Sequence, residues 1–233
     1  MKFLLSFTAC LLFNFADAQR TVDVSKTEGF NNNQFFIVNG EPFVSAKYVR
    51  VTSGTPYFKD QWMKARGASS SGSFYRANAL KLNLIDNEIV FLDANGKEMV
   101  CTVPLTDLQL TDTIAGGTYH LLFSSSFTDP SIAKGWYLEL VSGKASLFQF
   151  FAKQLLENKP FGSATTEQSI STQEQFMVLY NDKLQAVKKS TDLLKLFTDK
   201  QAEMTEYLRQ KSNRTGDNAT QLTNAVNYYN SLF

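Results

Sequence analysis

Histidine and cysteine are scarce in this chain, and their scarcity excludes several kinds of chemistry. The sequence has 233 residues with one histidine, His120, and two cysteines, Cys10 and Cys101. Zinc sites draw their ligands mainly from these residue types, so we expect no metal site. No phosphate-binding or dinucleotide-binding motif is present either, so we expect no cofactor. Any Ser–His or Cys–His machinery would have to use His120 itself.

The chain also lacks an excess of charge of either sign. Its formal net charge is +1, with 23 basic and 22 acidic residues. Nucleic-acid binding depends largely on neutralising phosphates with lysine and arginine, so this balance gives no electrostatic reason to expect a nucleic-acid partner.

Residues 1–18 have the pattern of a secretory signal peptide. Lys2 is followed by a mostly apolar run, Phe3 to Phe15, and then by Ala16-Asp17-Ala18, which fits an A-x-A cleavage site. We therefore expect a secreted or periplasmic protein that begins at Gln19. No later run approaches the roughly 20 apolar residues of a membrane-spanning helix, so we expect no transmembrane segment. Cys10 would leave with the signal, and Cys101 would then have no partner for an internal disulfide.

Alternation of apolar and polar residues predicts antiparallel strands in most of the remaining chain. The clearest case is Leu80 to Leu92, where Asp86-Asn87 reads as a two-residue hairpin loop that places Leu82 opposite Phe91. The next turn, Asp93 to Gly96, allows two registers. A two-residue loop pairs Leu92 with Met99, whereas a three-residue loop pairs Phe91 with Met99. We favour the second, which places Cys101 on the apolar face.

Other short strands are predicted between Gly-, Ser- and Pro-containing breaks. They are Tyr48–Thr52, Gln61–Ala65, Ser73–Arg76, Leu105–Leu110, Thr118–Ser124, Gly135–Val141, Ala145–Phe151, Gln175–Tyr180 and Leu184–Val187. Between them, Glu157 to Thr172 has no clear periodicity and reads as a long polar loop.

After Lys188 the apolar spacing changes to three and four, which predicts helices. The first begins at Ser190 or Thr191 and continues through Leu208, and the last covers Asp217 to Ser231. We therefore predict a mainly β fold, an antiparallel meander, sandwich or partly open barrel of about nine to twelve strands with two or three C-terminal helices. Its parts are the signal, 1–18, a β domain, 19–188, and a helical segment packed on the sheet, 189–233.

Several short phrases of the chain resemble a group of uncharacterised exported β-rich proteins of Bacteroidota. They are Gly54 to Trp62, the turn Asp93 to Met99, Lys159 to Gln168 and the ending Tyr228 to Leu232. The resemblance implies a Gram-negative cell envelope. It implies no activity, so no functional residue follows from it.

One aromatic segment is the candidate ligand-binding site. Tyr57, Phe58 and Trp62 lie beside a turn, where exposed rings would stack on a sugar or an apolar ligand, although aromatic residues at strand ends are more often part of a core. His120 reads as a strand residue paired across the sheet, with general-base catalysis as the alternative. Cys101 reads as a small buried hydrophobic residue.

The sequence thus favours a non-catalytic binding or protein-interaction module of the cell envelope, with no catalytic residue assigned. The partner would be another envelope protein or a small apolar or sugar ligand. The alternative is a carboxylate-dependent hydrolase of an envelope or extracellular glycan, since acids such as Asp86, Glu88, Asp93 and Glu98 cluster near two turns. A third possibility is that the C-terminal helices dock on another envelope protein.

Overall fold

The computed structural model describes residues 40–42, 48, 50–159, 161 and 165–233. The predicted signal peptide, 1–18, lies outside these residues. The described part forms a twelve-stranded sheet followed by C-terminal helices. The strands are β1 (Gly40–Pro42), β2 (Val51–Ser53), β3 (Met63–Ser69), β4 (Phe74–Asn83), β5 (Glu88–Leu92), β6 (Glu98–Cys101), β7 (Leu105–Thr111), β8 (Thr118–Phe123), β9 (Trp136–Val141), β10 (Ala145–Asn158), β11 (Glu167–Tyr180) and β12 (Lys183–Val187).

The sheet is open, and nearly all of its strand pairs are antiparallel. Eleven strands follow the order β1-β6-β5-β4-β3-β7-β8-β9-β10-β11-β12, and β2 adds to β11 as a parallel neighbour. The helices are α1 (Gln201–Arg209) and α2 (Asn218–Asn230), with short 3₁₀ turns at Ser190–Lys195 and Thr198–Lys200 before α1. The predicted mainly β fold with C-terminal helices is confirmed.

We call the two sides of the sheet the inner and the outer face. Leu108, Leu121 and Leu138 are directly opposite one another in β7, β8 and β9 and define the inner face. All three are buried. Gln109, His120 and Glu139 alternate with them and define the outer face.

The inner face carries the main cores. Side chains of β3 to β9 form one cluster, against which Phe58 also packs. Val141, Leu147 and Val178 form a second cluster with the C-terminal helices. α2 is tied to the start of β10 by Asn230, whose amide donates to the Ala145 carbonyl and accepts from its N–H, at 2.9 Å each.

The sheet curves strongly, so that strands far apart in its order approach one another at Gly135. Asn87, in the turn between β4 and β5, lies against Gly135 at the start of β9, although four strands separate β5 from β9 in the sheet. A Cβ on Gly135 would lie 2.9 Å from both the Asn87 Oδ1 and the Phe150 ring, and its φ of +152° favours glycine.

The register of the first hairpin differs from the prediction by two residues. Leu82 is opposite Ile89 and Leu80 is opposite Phe91, so the loop is Leu84 to Asn87 rather than Asp86-Asn87. Asn83 stabilises this longer loop by accepting hydrogen bonds from the backbone N–H groups of Ile85 and Asp86. In the second hairpin, Phe91 is opposite Met99, so the favoured three-residue loop is confirmed, and Met99 and Cys101 pack against the core.

Two further expectations from sequence are wrong. Much of Glu157 to Thr172 is strand, because β10 and β11 pair along fourteen residues each, from Ala145–Tyr180 to Asn158–Glu167. The first helix is also interrupted, since 3₁₀ turns occupy 190–200 before α1 begins at Gln201. The last helix lies within one residue of the prediction at each end, with Asp217 as its N-cap, accepting from the Thr220 N–H.

Candidate functional site

A continuous row of polar side chains crosses the outer face. The strand registers place Arg76, Arg66, Gln109, His120 and Glu139 directly opposite one another on β4, β3, β7, β8 and β9. We call these five residues the polar row. A row perpendicular to the strands arises because each neighbour in the register lies on the same face.

The first two members of the polar row are arginines that face one another. Arg66 and Arg76 are both exposed, and Lys64 lies on the same face two residues before Arg66. Within the part of the chain that the structure describes, none of these three cations has an acidic partner. Like charges directly opposite each other destabilise an antiparallel pair. Folding therefore gives no reason for this arrangement.

The other end of the polar row is built around His120. Its Nδ1 lies 2.6 Å from Oε2 of Glu139, and its Nε2 lies 3.0 Å from Oδ2 of Asp107. Burial disfavours the charged ring and is the largest single influence on it. The hydrogen bonds and negative charges of Asp107 and Glu139 nevertheless outweigh burial and raise the pKa of His120. Both ring nitrogens face carboxylate oxygens, and only the protonated ring can donate to both at once.

Asp107 and Glu139 both lie against His120, and neither forms an ion pair with an arginine of the polar row. A groove of about 510 Å³ runs along the surface here and is lined by Arg66, Arg76 and Gln109, together with Asp107 and His120. A second depression of about 450 Å³ continues from it past Lys64 and shares the same three side chains.

An exposed aromatic ring lies at the rim of the groove. Phe74 is two residues before Arg76 on β4, on the same face, and is 68% exposed. Apolar rings that face water beside hydrogen-bonding groups are a common feature of sites for ligands with both apolar and polar faces.

The aromatic residues predicted as a ligand site have two different placements. Phe58 points inward, with its ring 5.3 Å from the Tyr119 ring and 5.7 Å from the Phe151 ring. Tyr57 and Trp62 are half-buried, and the Lys81 ammonium lies 4.9 Å from each of their rings. The pair therefore already surrounds a cation from the protein itself, through cation–π contacts.

Lys153 fixes the backbone of the same segment. Its ammonium donates to the carbonyls of Thr55 and Tyr57, at 2.8 and 2.7 Å. Burial lowers the pKa of this lysine. The segment is thus tied across the inner face, which explains why Phe58 reaches the core.

The remaining candidates lie apart from the polar row. Cys101 is half-buried, and burial raises the pKa of its thiol, which makes it a poor nucleophile. Asp93 closes its own turn by accepting from the N–H groups of Asn95 and Lys97. Asp86 accepts from Asn83 and from Tyr48. Among the described residues, no group of three or more His, Cys, Asp or Glu side chains is placed to hold a metal ion.

Comparisons with models of protein families, with curated proteins and with solved structures find no match to this chain. In the described residues, no helix is both long and apolar enough to cross a membrane.

The polar row was missed in the sequence, although a signal for it exists. The predicted strand ended at Ala65, which left Arg66 in a loop, whereas β3 continues to Ser69. Lys64 and Arg66 alternate with Met63, Ala65 and Gly67, so the period of two already extended beyond the predicted end.

Proposed function

We propose that this chain is an exported, non-catalytic binding module of the cell envelope and that its ligand lies on the polar row. The observation that carries the proposal is the unequal covering of the outer face. Beyond Glu139, the outer face of β9 to β12 carries an apolar cluster, which Phe127 covers by packing on Tyr137 and Phe148, at 5.3 and 5.1 Å. Over β4, β3 and β7 it is exposed, and two like charges face each other there.

The hydrolase of an envelope or extracellular glycan is the second candidate, and one observation favours it. Asp107 and Glu139 are two carboxylates brought to opposite sides of one imidazole beside the groove. Glycosidases use such pairs of acids as proton donor and nucleophile or base. In this arrangement, however, the His120 ring occupies the space between the two acids, where a glycosidase holds the scissile bond. We therefore place binding first.

The two functions separate in one experiment. The purified protein is mixed with neutral and acidic oligosaccharides while backbone amide NMR signals and the release of reducing ends are followed together. The proposal predicts shifted signals in β3, β4 and β7 with no products. Product release that disappears in Glu139→Gln or Asp107→Asn would establish the hydrolase instead. Signals that shift only around Tyr57 and Trp62 would place the ligand at the aromatic segment.

Export is tested separately. A full-length chain with a C-terminal tag, expressed in a Gram-negative host, is expected in the periplasm or the medium with Gln19 as its first residue. A fusion in which Leu11 and Leu12 are replaced by arginine is the control, because charges in the apolar run of a signal block export. Recovery of the unprocessed wild-type chain from the cytosol would contradict the proposal. The Bacteroidota resemblance supports the Gram-negative envelope as its location.

A further inference from the structure

We propose that Lys64, Arg66 and Arg76 bind the carboxylate or sulfate groups of an acidic polysaccharide that lies across the strands of the outer face. This inference rests on the proposed binding function and specifies its ligand class. These three cations are grouped on one face without a counter-charge from any described residue. Six described cations elsewhere have an acid within 4.0 Å, namely Arg50, Lys59, Lys81, Lys144, Lys200 and Arg209, and others, such as Lys183, are single surface charges. The three cations of the groove have none among the described residues.

The two arginines are also spaced so that they can bind oxyanions. Directly opposite residues in an antiparallel pair have Cβ atoms about 5 Å apart. Two guanidinium groups at that spacing can hold one oxyanion between them or two oxyanions on neighbouring sugar units, and each can bind a carboxylate or sulfate with two parallel hydrogen bonds. An oxyanion between them also removes the repulsion that the free protein contains.

The rest of the groove fits a sugar chain rather than a bare anion. Gln109 and Asn78 are exposed amides on either side of the arginines, and each can both donate to and accept from hydroxyl groups. Phe74, 68% exposed, offers a flat apolar surface to a sugar ring about 7 Å along the strand from Arg76. Acid groups, hydroxyls and apolar ring faces occur together in acidic polysaccharides.

The change of charge along the polar row disfavours a nucleic acid as the ligand. The row changes from cationic at Arg76 and Arg66 to a region with two carboxylates and one imidazolium at His120. A nucleic-acid backbone carries a charge at every unit and would meet Asp107 and Glu139 as it continued across the sheet. A polysaccharide can place neutral hydroxyl groups there, where both carboxylates and Gln109 accept hydrogen bonds.

The test compares charged ligands with neutral ligands of the same backbone. Binding of the purified protein to oligogalacturonate, to its methyl ester, to dextran sulfate and to dextran is measured by calorimetry at low and physiological ionic strength. We expect binding to the two acidic probes, weakened by salt, and much weaker binding to the neutral ones. A single-stranded oligothymidine serves as the non-carbohydrate polyanion.

The matched variants carry the same change in net charge. Arg66→Gln/Arg76→Gln removes the two facing arginines, and Lys183→Gln/Arg209→Gln removes two exposed cations elsewhere. Because charge-assisted hydrogen bonds contribute strongly, we expect the first pair to lose about tenfold or more in affinity and the control pair to stay within about twofold, since distant charges are screened. Unchanged thermal melting of the first pair establishes that the loss is not unfolding.

Each result has a distinct meaning. Equal affinity for oligogalacturonate and its methyl ester overturns the anion site while the proposed binding function stands. Equal losses in the two double variants also overturn the site, because attraction would then follow net charge alone. Oligothymidine bound as tightly as the acidic glycans overturns the carbohydrate assignment. Absence of measurable binding to both acidic probes overturns this inference, and absence of NMR shifts at the polar row with every oligosaccharide overturns the binding function as well.

Discussion

His120 organises the polar row by bonding to side chains of two neighbouring strands. Both of its ring nitrogens are hydrogen-bonded to carboxylates, so neither is free to take a proton from a nucleophile. The imidazolium instead joins β7, β8 and β9 through their side chains. Asp107 thus has His120 as its partner, and Arg66 stays exposed in the groove.

The charge of His120 gives a prediction about pH. Because its pKa is raised in the folded protein, its contribution to stability is fully present below the unfolded pKa of about 6.5 and is lost as pH rises through the folded value. The groups that face it are Asp107 and Glu139. Urea unfolding of His120→Gln should show a deficit of about 0.5–1 kcal/mol near pH 5.5, a size set by partial solvent exposure, and a smaller deficit at pH 9.

Thr118→Gln is the control for this measurement. Thr118 is exposed on the same strand and the same face, and it has no charged form. Its unfolding free energy should follow the wild-type protein at both pH values. A His120→Gln deficit that grows with pH would mean that the ring is neutral in the folded protein and would contradict the assignment.

At the level of single elements, one polar side chain of α2 is bonded to the backbone of the sheet. Asn230 makes two hydrogen bonds to the backbone of Ala145, which is fully buried. Asn230→Ala leaves a backbone N–H and a carbonyl without their partners at this junction. We expect a loss of about 1–3 kcal/mol in the free energy of unfolding, measured with urea. Asn227→Ala, at an exposed position of the same helix, should cost only a few tenths of a kcal/mol through helix propensity and packing.

Amide exchange adds a second readout for this attachment. Loss of the Asn230 contacts should speed exchange in α2 and at Ala145 before it affects β3 or β7, because local openings occur in the least stable unit. Equal unfolding free energies of Asn230→Ala and Asn227→Ala would show that apolar packing alone attaches the helix.

The hairpins show how far the sequence determines strand pairing. Alternation assigned Leu82, Ile89 and Phe91 to one face, and they are indeed buried together. A shift of two residues leaves that assignment unchanged, so alternation could not detect the error in the first hairpin. The deciding contact is the Asn83 side chain accepting from two backbone N–H groups of the loop. In the second hairpin, Gly96 with a φ of +76° supplied the missing constraint.

The long hairpin β10–β11 was missed for a different reason. The end of the hairpin nearest its turn has exposed residues on both faces, such as Gln154, Glu157 and Ser171. Hydrophobic alternation is therefore absent there. The strands are extended there by continuous backbone pairing, which the side-chain pattern does not reveal. The site follows the same logic. Phe58 was recognisable as an aromatic residue near a turn, but the facing of Arg66 and Arg76 depends on a register that only the paired strands define.

At the scale of the whole molecule, three elements each cover part of one curved sheet. The C-terminal helices cover part of the inner face, the segment around Phe58 packs on another part, and the loop with Phe127 covers part of the outer face. Among the described residues, the cationic half of the polar row stays exposed, as does the far end of the β10–β11 hairpin. We place the function at the polar row because two like charges face each other there beside a groove.

Deleting the C-terminal helices tests whether they belong to the core or form a docking element. Their apolar side chains are buried against the sheet: Leu193, Phe197, Met204, Leu208, Leu222, Val226 and Tyr229. Each contributes about 1.5–3 kcal/mol, so their combined loss is comparable to or larger than a typical net stability of about 5–15 kcal/mol. A chain lacking residues 190–233 is therefore expected to be insoluble or to lose its near-ultraviolet circular dichroism.

A milder variant keeps this prediction testable if the truncated chain cannot be purified. Leu222→Ala should lower the free energy of unfolding by about 2–5 kcal/mol because it creates a cavity at a fully buried position, and Asn224→Ala, exposed on the same helix, should change it by less than about 0.5 kcal/mol. A truncated chain that stays soluble, monomeric and cooperatively folded would contradict the core role. The helices would then be a separable element, and docking on another envelope protein would become the better explanation of their apolar side chains.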